Sequence, residues 1–129
     1  MLIGMFMLLS VRVSSADQSA GNEFGFPVGK KLALIADQVQ GALHHPTLMV
    51  SNGTISGRLW CNAAAFEIML LSRTQLSAPK SMMTLIDCGP ATTADDAIIK
   101  ILADCHWSKE GGELVLKTSY GRLRFRIVQ

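Results

Sequence analysis

Three cysteines and three histidines are the residues of this chain best suited to chemistry: Cys61, Cys88, Cys105, His44, His45 and His106. Cys and His are the preferred ligands of zinc, so Cys105, His106 and the His44-His45 pair could in principle form a zinc centre. The spacing argues against it. No C-x-x-C or H-x-x-x-H pair occurs, and adjacent residues on a strand point to opposite faces. A thiol–histidine catalytic pair would need Cys61 or Cys88 free with a histidine brought close. Cys105 and His106 are sequence neighbours, which on a helix do not face each other. There is no glycine-rich phosphate loop, no G-x-S-x-G and no paired-acid constellation. The residues therefore point to a non-enzymatic protein with no cofactor and no metal. In an oxidising compartment three cysteines leave one bonded pair and one spare thiol. In a reducing cytosol all three are small buried hydrophobes.

The address is written at the front. Residues 1–16, MLIGMFMLLSVRVSSA, begin with nine apolar or glycine residues and end in a small-x-small site, Ser14-Ser15-Ala16. That is the pattern of a cleaved signal peptide, too short to span a bilayer. It departs from the pattern in one respect: no Lys or Arg precedes the apolar run, and Arg12 follows it. The expected location is periplasmic or secreted, or cytoplasmic if the segment is not a signal. No cysteine follows the run, so no bacterial lipid anchor is indicated there. Residues 17–31 are polar and glycine-rich and read as a linker. Twelve Lys and Arg against ten Asp and Glu give a net charge of +2. Such a balance offers no electrostatic case for nucleic acid or an acidic membrane surface. The default is a monomer, with an unknown protein or envelope component as partner.

The elements that must position these residues follow. Pro46 to Asn62 reads as a β-hairpin, with Asn52-Gly53 as a type I′ turn. Gly57 inside its second strand marks a bulge or a close backbone approach. Residues 32–39 are ambiguous between strand and short helix, and 41–46 form a loop. A strand is expected around 67–71, a loop over 73–81, a short apolar strand over 82–86 and a break at Cys88-Gly89-Pro90. Residues 91–106 read as the one helix. Thr92 or Thr93 would cap it, with Asp95 and Asp96 in its first turn. Ala94, Ala97, Ile98, Ile101, Leu102 and Cys105 form its apolar stripe. Two strands, 113–118 and 122–128, close the chain. Leu123, Phe125 and Ile127 face one way; Arg122, Arg124 and Arg126 face the other. The fold class is α+β: a curved antiparallel β-sheet, a half-open barrel, packed around one amphipathic helix. The arginine stripe reads as a solvated face, as a charged edge strand that resists aggregation, or as an anion-binding surface.

Four motifs in order resemble the META domain family, that of the heat-shock protein HslJ. Ser56-Gly57 followed by Cys61-Asn62 is like the family's vsG-x-x-GCN. Thr84-Leu85-Ile86-Asp87-Cys88 is like its T-r-m-a-C. An amphipathic helix with Trp107 near its end and a closing hairpin, Gly112 to Leu116 and Gly121 to Phe125, complete the match over residues 32–129. Two features depart from the pattern: Trp60 stands where the family usually has Gly, and Ala64-Ala65-Phe66-Glu67-Ile68 replaces an aromatic-x-Gly-x-aromatic run. The resemblance implies a small antiparallel half-barrel with a packed helix and a disulfide between Cys61 and Cys88. It implies an exported or lipid-anchored protein linked to stress, secretion or motility, with no established catalytic residue. Arg122, Arg124, Arg126 and Trp60 are the candidate partner surface. The expected function is that of an exported structural or interaction factor of the envelope or stress response. The alternative is a module that binds a small ligand or a partner in the open half of the barrel.

Overall fold

A computed structural model describes residues 24–129. The signal-peptide segment, 1–16, and linker residues 17–23 lie outside the described residues. Ten strands and one helix follow in order: β1 Lys31–Leu34, β2 Thr47–Ser51, β3 Thr54–Arg58, β4 Ala63–Glu67, β5 Leu70–Leu71, β6 Gln75–Ser77, β7 Lys80–Met83, α1 Pro90–Ala103, β8 Cys105–Glu110, β9 Glu113–Thr118 and β10 Gly121–Val128. All pairings are antiparallel, and the strand order is β5-β6-β8-β9-β10-β1-β2-β3-β4-β7. This is the curled half-barrel with one helix that the sequence predicts.

The curl depends on one bent hairpin. Its first half, β4 with β7, extends the sheet beyond β3; its second half, β5 with β6, reaches β8 at the opposite rim. The N–H groups of Glu67 and Met69 donate across the bend to the carbonyls of Pro79 and Ser77. So the two ends of the strand order are joined by the chain itself. The expected loop over 73–81 is thus largely strand, with Leu76 and Ala78 fully buried. A run that changes sheet partners midway has no single hydrophobic period to reveal it.

Binary patterning accounts for most of the core. Leu48 and Val50 point inward from β2, Ile55 from β3, Ala64 and Phe66 from β4, Leu114 and Leu116 from β9, Phe125 from β10. The interior is filled by these side chains together with Phe26, which meets Trp107 edge-on at 5.1 Å between ring centroids. Phe26 belongs to the stretch read as a linker, so that segment joins the core before β1 begins. The β2–β3 turn also differs from expectation. Gly53 has φ 90°, but Asn52 has no positive φ, and a type I′ turn requires it at both residues.

The helix ends earlier than its stripe suggests. Asp104 is extended, with φ −166°, and Cys105 opens β8. Cys105, His106 and Trp107 alternate buried, exposed, buried, which is a strand pattern; Cys105 alone also fits the helical stripe, three and four residues after Leu102 and Ile101. Ala97 is exposed rather than part of the buried face. The N-terminus is capped by Gly89 with Pro90 at the first position, not by Thr92 or Thr93.

Candidate functional site

The residues that carry the motifs converge on the turn between β3 and β4. Leu59 N–H donates to the Asn62 carbonyl at 2.7 Å, which folds Trp60, Cys61 and Asn62 into a tight arch. Three successive backbone N–H groups then point the same way, and all three donate to one side chain, the carboxyl of Asp95 on α1. Trp60 N–H reaches Oδ1 at 2.7 Å, Cys61 N–H lies 3.2 Å from Oδ2, and Asn62 N–H reaches Oδ2 at 2.9 Å. Asp95 is 0% exposed. A buried polar group is tolerated when its hydrogen-bonding capacity is met, and here one acceptor satisfies three donors that the arch would otherwise orphan. The sequence places Asp95 in the first turn of the helix as a dipole partner. Its place is a turn further in, facing the arch.

Asn62 works in the opposite direction. Its Oδ1 accepts from Ile86 N–H at 2.7 Å and from the Thr84 hydroxyl at 2.8 Å, while its Nδ2 donates to the Ile86 carbonyl at 3.0 Å. Cys61 is bonded to Cys88, with Cα atoms 6.0 Å apart and a sequence separation of 27. Cys88 N–H donates to the Thr92 hydroxyl at 2.8 Å. The irregular segment 84–88 is therefore fixed to the arch by a covalent bond and by an amide that uses both of its ends. The apolar strand expected over 82–86 stops at Met83 for this reason: Asn62 draws the backbone of Ile86 out of the β4 ladder.

Two glycines make room. A Cβ on Gly41, at φ 84°, would lie 2.4 Å from the Cys88 carbonyl oxygen. A Cβ on Gly57, at φ 155°, would lie 2.1 Å from the Thr47 carbonyl oxygen and 2.9 Å from Leu48 Cα. Gly57 is thus the close backbone approach that its place inside a strand suggests. Gly57→Ala is expected to cost about 2–3 kcal/mol through strain and forced separation of β2 from β3. A denaturant titration with an unchanged midpoint would contradict this.

The remaining candidates are dispersed. Cys105 is buried on β8, and burial, with a smaller contribution from the charge of Asp104, pushes its thiol up to about 12. At pH 8 it is protonated and shielded. Native protein is expected to resist iodoacetamide at that pH and to take up one equivalent once unfolded; prompt labelling of native protein would contradict the packing. His106 follows it on β8, opposite Gln75 and Lys117. His45 packs edge-on against Trp60 at 5.2 Å and contacts the Leu34 carbonyl through Nε2. Among the described residues no group of three or more His, Cys, Asp or Glu is placed to hold a metal.

Trp60, expected on a partner surface, is only 3% exposed and belongs to the core. The larger ring in place of Gly is absorbed inward, against His45. Arg122, Arg124 and Arg126 are exposed on one side of β10, as the alternation predicts. That strand lies between β9 and β1, so the stripe does not guard a sheet edge. Arg124 is paired with Glu113, whose hydrogen bond and charge raise the guanidinium pKa further. Two apolar concavities open on the surface. A groove of about 660 Å³ runs over Gly57, Ala63, Ala65 and Met82. A crevice of about 330 Å³ lies between α1 and β10, at Trp60, Ile98 and Leu123.

No family model and no curated protein matches this chain. A solved structure does: a protein determined by NMR superposes with a TM-score of 0.61 at 20% identity, over 76% of this chain and 88% of that one. At that identity the likeness establishes the fold alone. The disulfide is compatible with an extracytoplasmic location, and no helix among the described residues is long and apolar enough to cross a membrane.

Sequence reasoning singled out Gly57, Cys61, Asn62, Thr84 and Cys88 as a pattern, and the fold brings four of them to one place. It missed Asp95 as the hub. The available signal was an acid on the helix near the apolar stripe, one residue before an exposed Asp96, in a chain with few buried polar groups to spare.

Proposed function

We propose that the chain is an exported, non-enzymatic interaction domain of the cell envelope or stress response, a divergent relative of the META and HslJ-like proteins. One observation carries the reading. The residues that make up its two central motifs are occupied in holding a loop: Cys61 and Cys88 in a disulfide, Asn62 in hydrogen bonds to Ile86 and Thr84, and Thr84 in hydrogen bonds to Asn62 and Ala63. Groups committed in this way to backbone and to one another serve as scaffold rather than as nucleophile or base. The disulfide supports an oxidising address. The half-barrel fold shared with the NMR structure, together with the order of the motifs, supports the family reading.

The second reading, a small-ligand module, draws on the apolar crevice beside Trp60 rather than on the barrel interior, which is filled by side chains. The test of the first reading is export. Expressed with its own N-terminus and fractionated, the protein is expected outside the cytoplasm. It should show one free thiol when unfolded without reductant and three with it. Retention in the cytoplasm with three free thiols would overturn the proposal.

A further inference from the structure

The loop that the disulfide and Asn62 hold so firmly displays its largest apolar side chains to water. Leu85 is 90% exposed and Ile86 is 49% exposed, and Met82, just before them, is 71% exposed. A segment that presents apolar side chains on a backbone fixed by one disulfide and by hydrogen bonds at Thr84, Ile86 and Cys88 has little ordering entropy left to lose on binding. Directly beside this knob lies the apolar groove over Gly57, Ala63, Ala65 and Met82, with Thr84 as the shared boundary. The groove exists because the outward positions Ser56 on β3 and Ala63 and Ala65 on β4 carry small side chains.

A protrusion next to a matching hollow on one face is what an isologous two-fold interface requires, since each copy then fills the other. Charge is arranged to suit. Asp87 ends the knob and Arg58 lines the hollow. Neither has an ion-pair partner among the described residues. Across a two-fold axis, Asp87 of each copy would meet Arg58 of the other. Strand addition at this edge is disfavoured, because β7 begins at Lys80 and shifts register against Ala65 and Phe66. We therefore propose that this face docks a second copy of the chain by exchange of the Leu85–Ile86 knob, side chain into groove. The proposal shares with the reading above the Cys61–Cys88 disulfide, which holds the knob, but not the envelope or stress role.

The test is sedimentation velocity on the full chain, recovered after expression with its own N-terminus, from roughly 10 µM to 1 mM, the range expected for a small interface. A monomer–dimer equilibrium is expected. Leu85→Asp should weaken it by about tenfold or more, as for an anchor residue at an interface centre. Leu85 makes no core contact, so this variant should keep the parent melting temperature. Arg58→Glu and Asp87→Lys should each weaken association, and the double variant should restore it, because the exchanged pair is re-formed with reversed signs. A chain that stays monomeric throughout the range overturns the proposal. So does a dimer that survives Leu85→Asp, which would place association elsewhere, for instance in the apolar run of residues 1–9. A double variant that fails to recover overturns it as well.

Discussion

Asp95→Ala is expected to be the most damaging single substitution in the described chain. The side chain makes no contact with solvent and serves as the common acceptor for the N–H groups of Trp60, Cys61 and Asn62. Alanine would leave three buried donors without a partner. At about 1–3 kcal/mol for each such group the loss comes to roughly 3–9 kcal/mol, since the arch has no second acceptor to turn to. A domain of this size has about 5–15 kcal/mol in total, so the variant should fold poorly, with a melting temperature lower by at least about 15 °C. Asp95→Asn discriminates the mechanism. The amide keeps the shape and one oxygen, but turns its NH₂ toward N–H donors, donor against donor. It should recover only part of the loss. Asp96→Ala, one residue on and exposed, should change stability by less than about 0.5 kcal/mol. Equal effects at Asp95 and Asp96 would refute the role assigned here.

Asp95 also shows what a single sequence does and does not reveal about this fold. Patterns of period two located β2, β3 and β10, because each has one face in the core and one largely in water, whereas β9 reads as a strand although Leu114, Val115 and Leu116 are all buried. The helix was visible from its apolar stripe, and the half-barrel followed from an amphipathic helix among hairpins. Three features were not visible, each for a physical reason. The bent hairpin of β4 to β7 changes partners at residues 68–69 and 78–79, so its burial follows two registers in turn. The first residue of β8, Cys105, also fits the helical stripe. Trp60 looks like a docking aromatic in the sequence, but its ring turns toward His45 and the core once the arch is drawn onto Asp95. The Cys-Asn pair was legible as a pattern. Its purpose was not, because the groups that give it one, Ile86 and Asp95, are 24 and 33 residues away along the chain.

That same arch sets the second large expectation, removal of the Cys61–Cys88 bond. The bond closes a loop with a sequence separation of 27, which in the chain-entropy view restrains the unfolded state by about 3–4 kcal/mol. Reduction, or the Cys61→Ala/Cys88→Ala pair, should lower the denaturation midpoint accordingly. It should also raise the denaturant dependence slightly, because the unfolded chain can then expand further. The local structure argues that the fold survives. Asn62 still clasps Ile86 through both ends of its amide, and the Thr92 hydroxyl still accepts from the backbone N–H of residue 88, whether that residue is reduced or replaced by alanine. Two devices that tether one segment should not act independently. With the bond intact, Asn62→Ala leaves residues 84–88 attached at Cys88. With the bond absent, only the hydrogen bonds of residue 88 to Thr92 and of Thr84 to Ala63 hold the two ends of the segment, and nothing holds Ile86 beside the arch. Asn62→Ala is therefore expected to cost more in the reduced protein than in the oxidised one, by about 0.5–2 kcal/mol in a double-mutant cycle. Strict additivity would mean that the disulfide and the amide stabilise different parts of the molecule. The loop that displays Leu85 would then owe its order to something other than the arch.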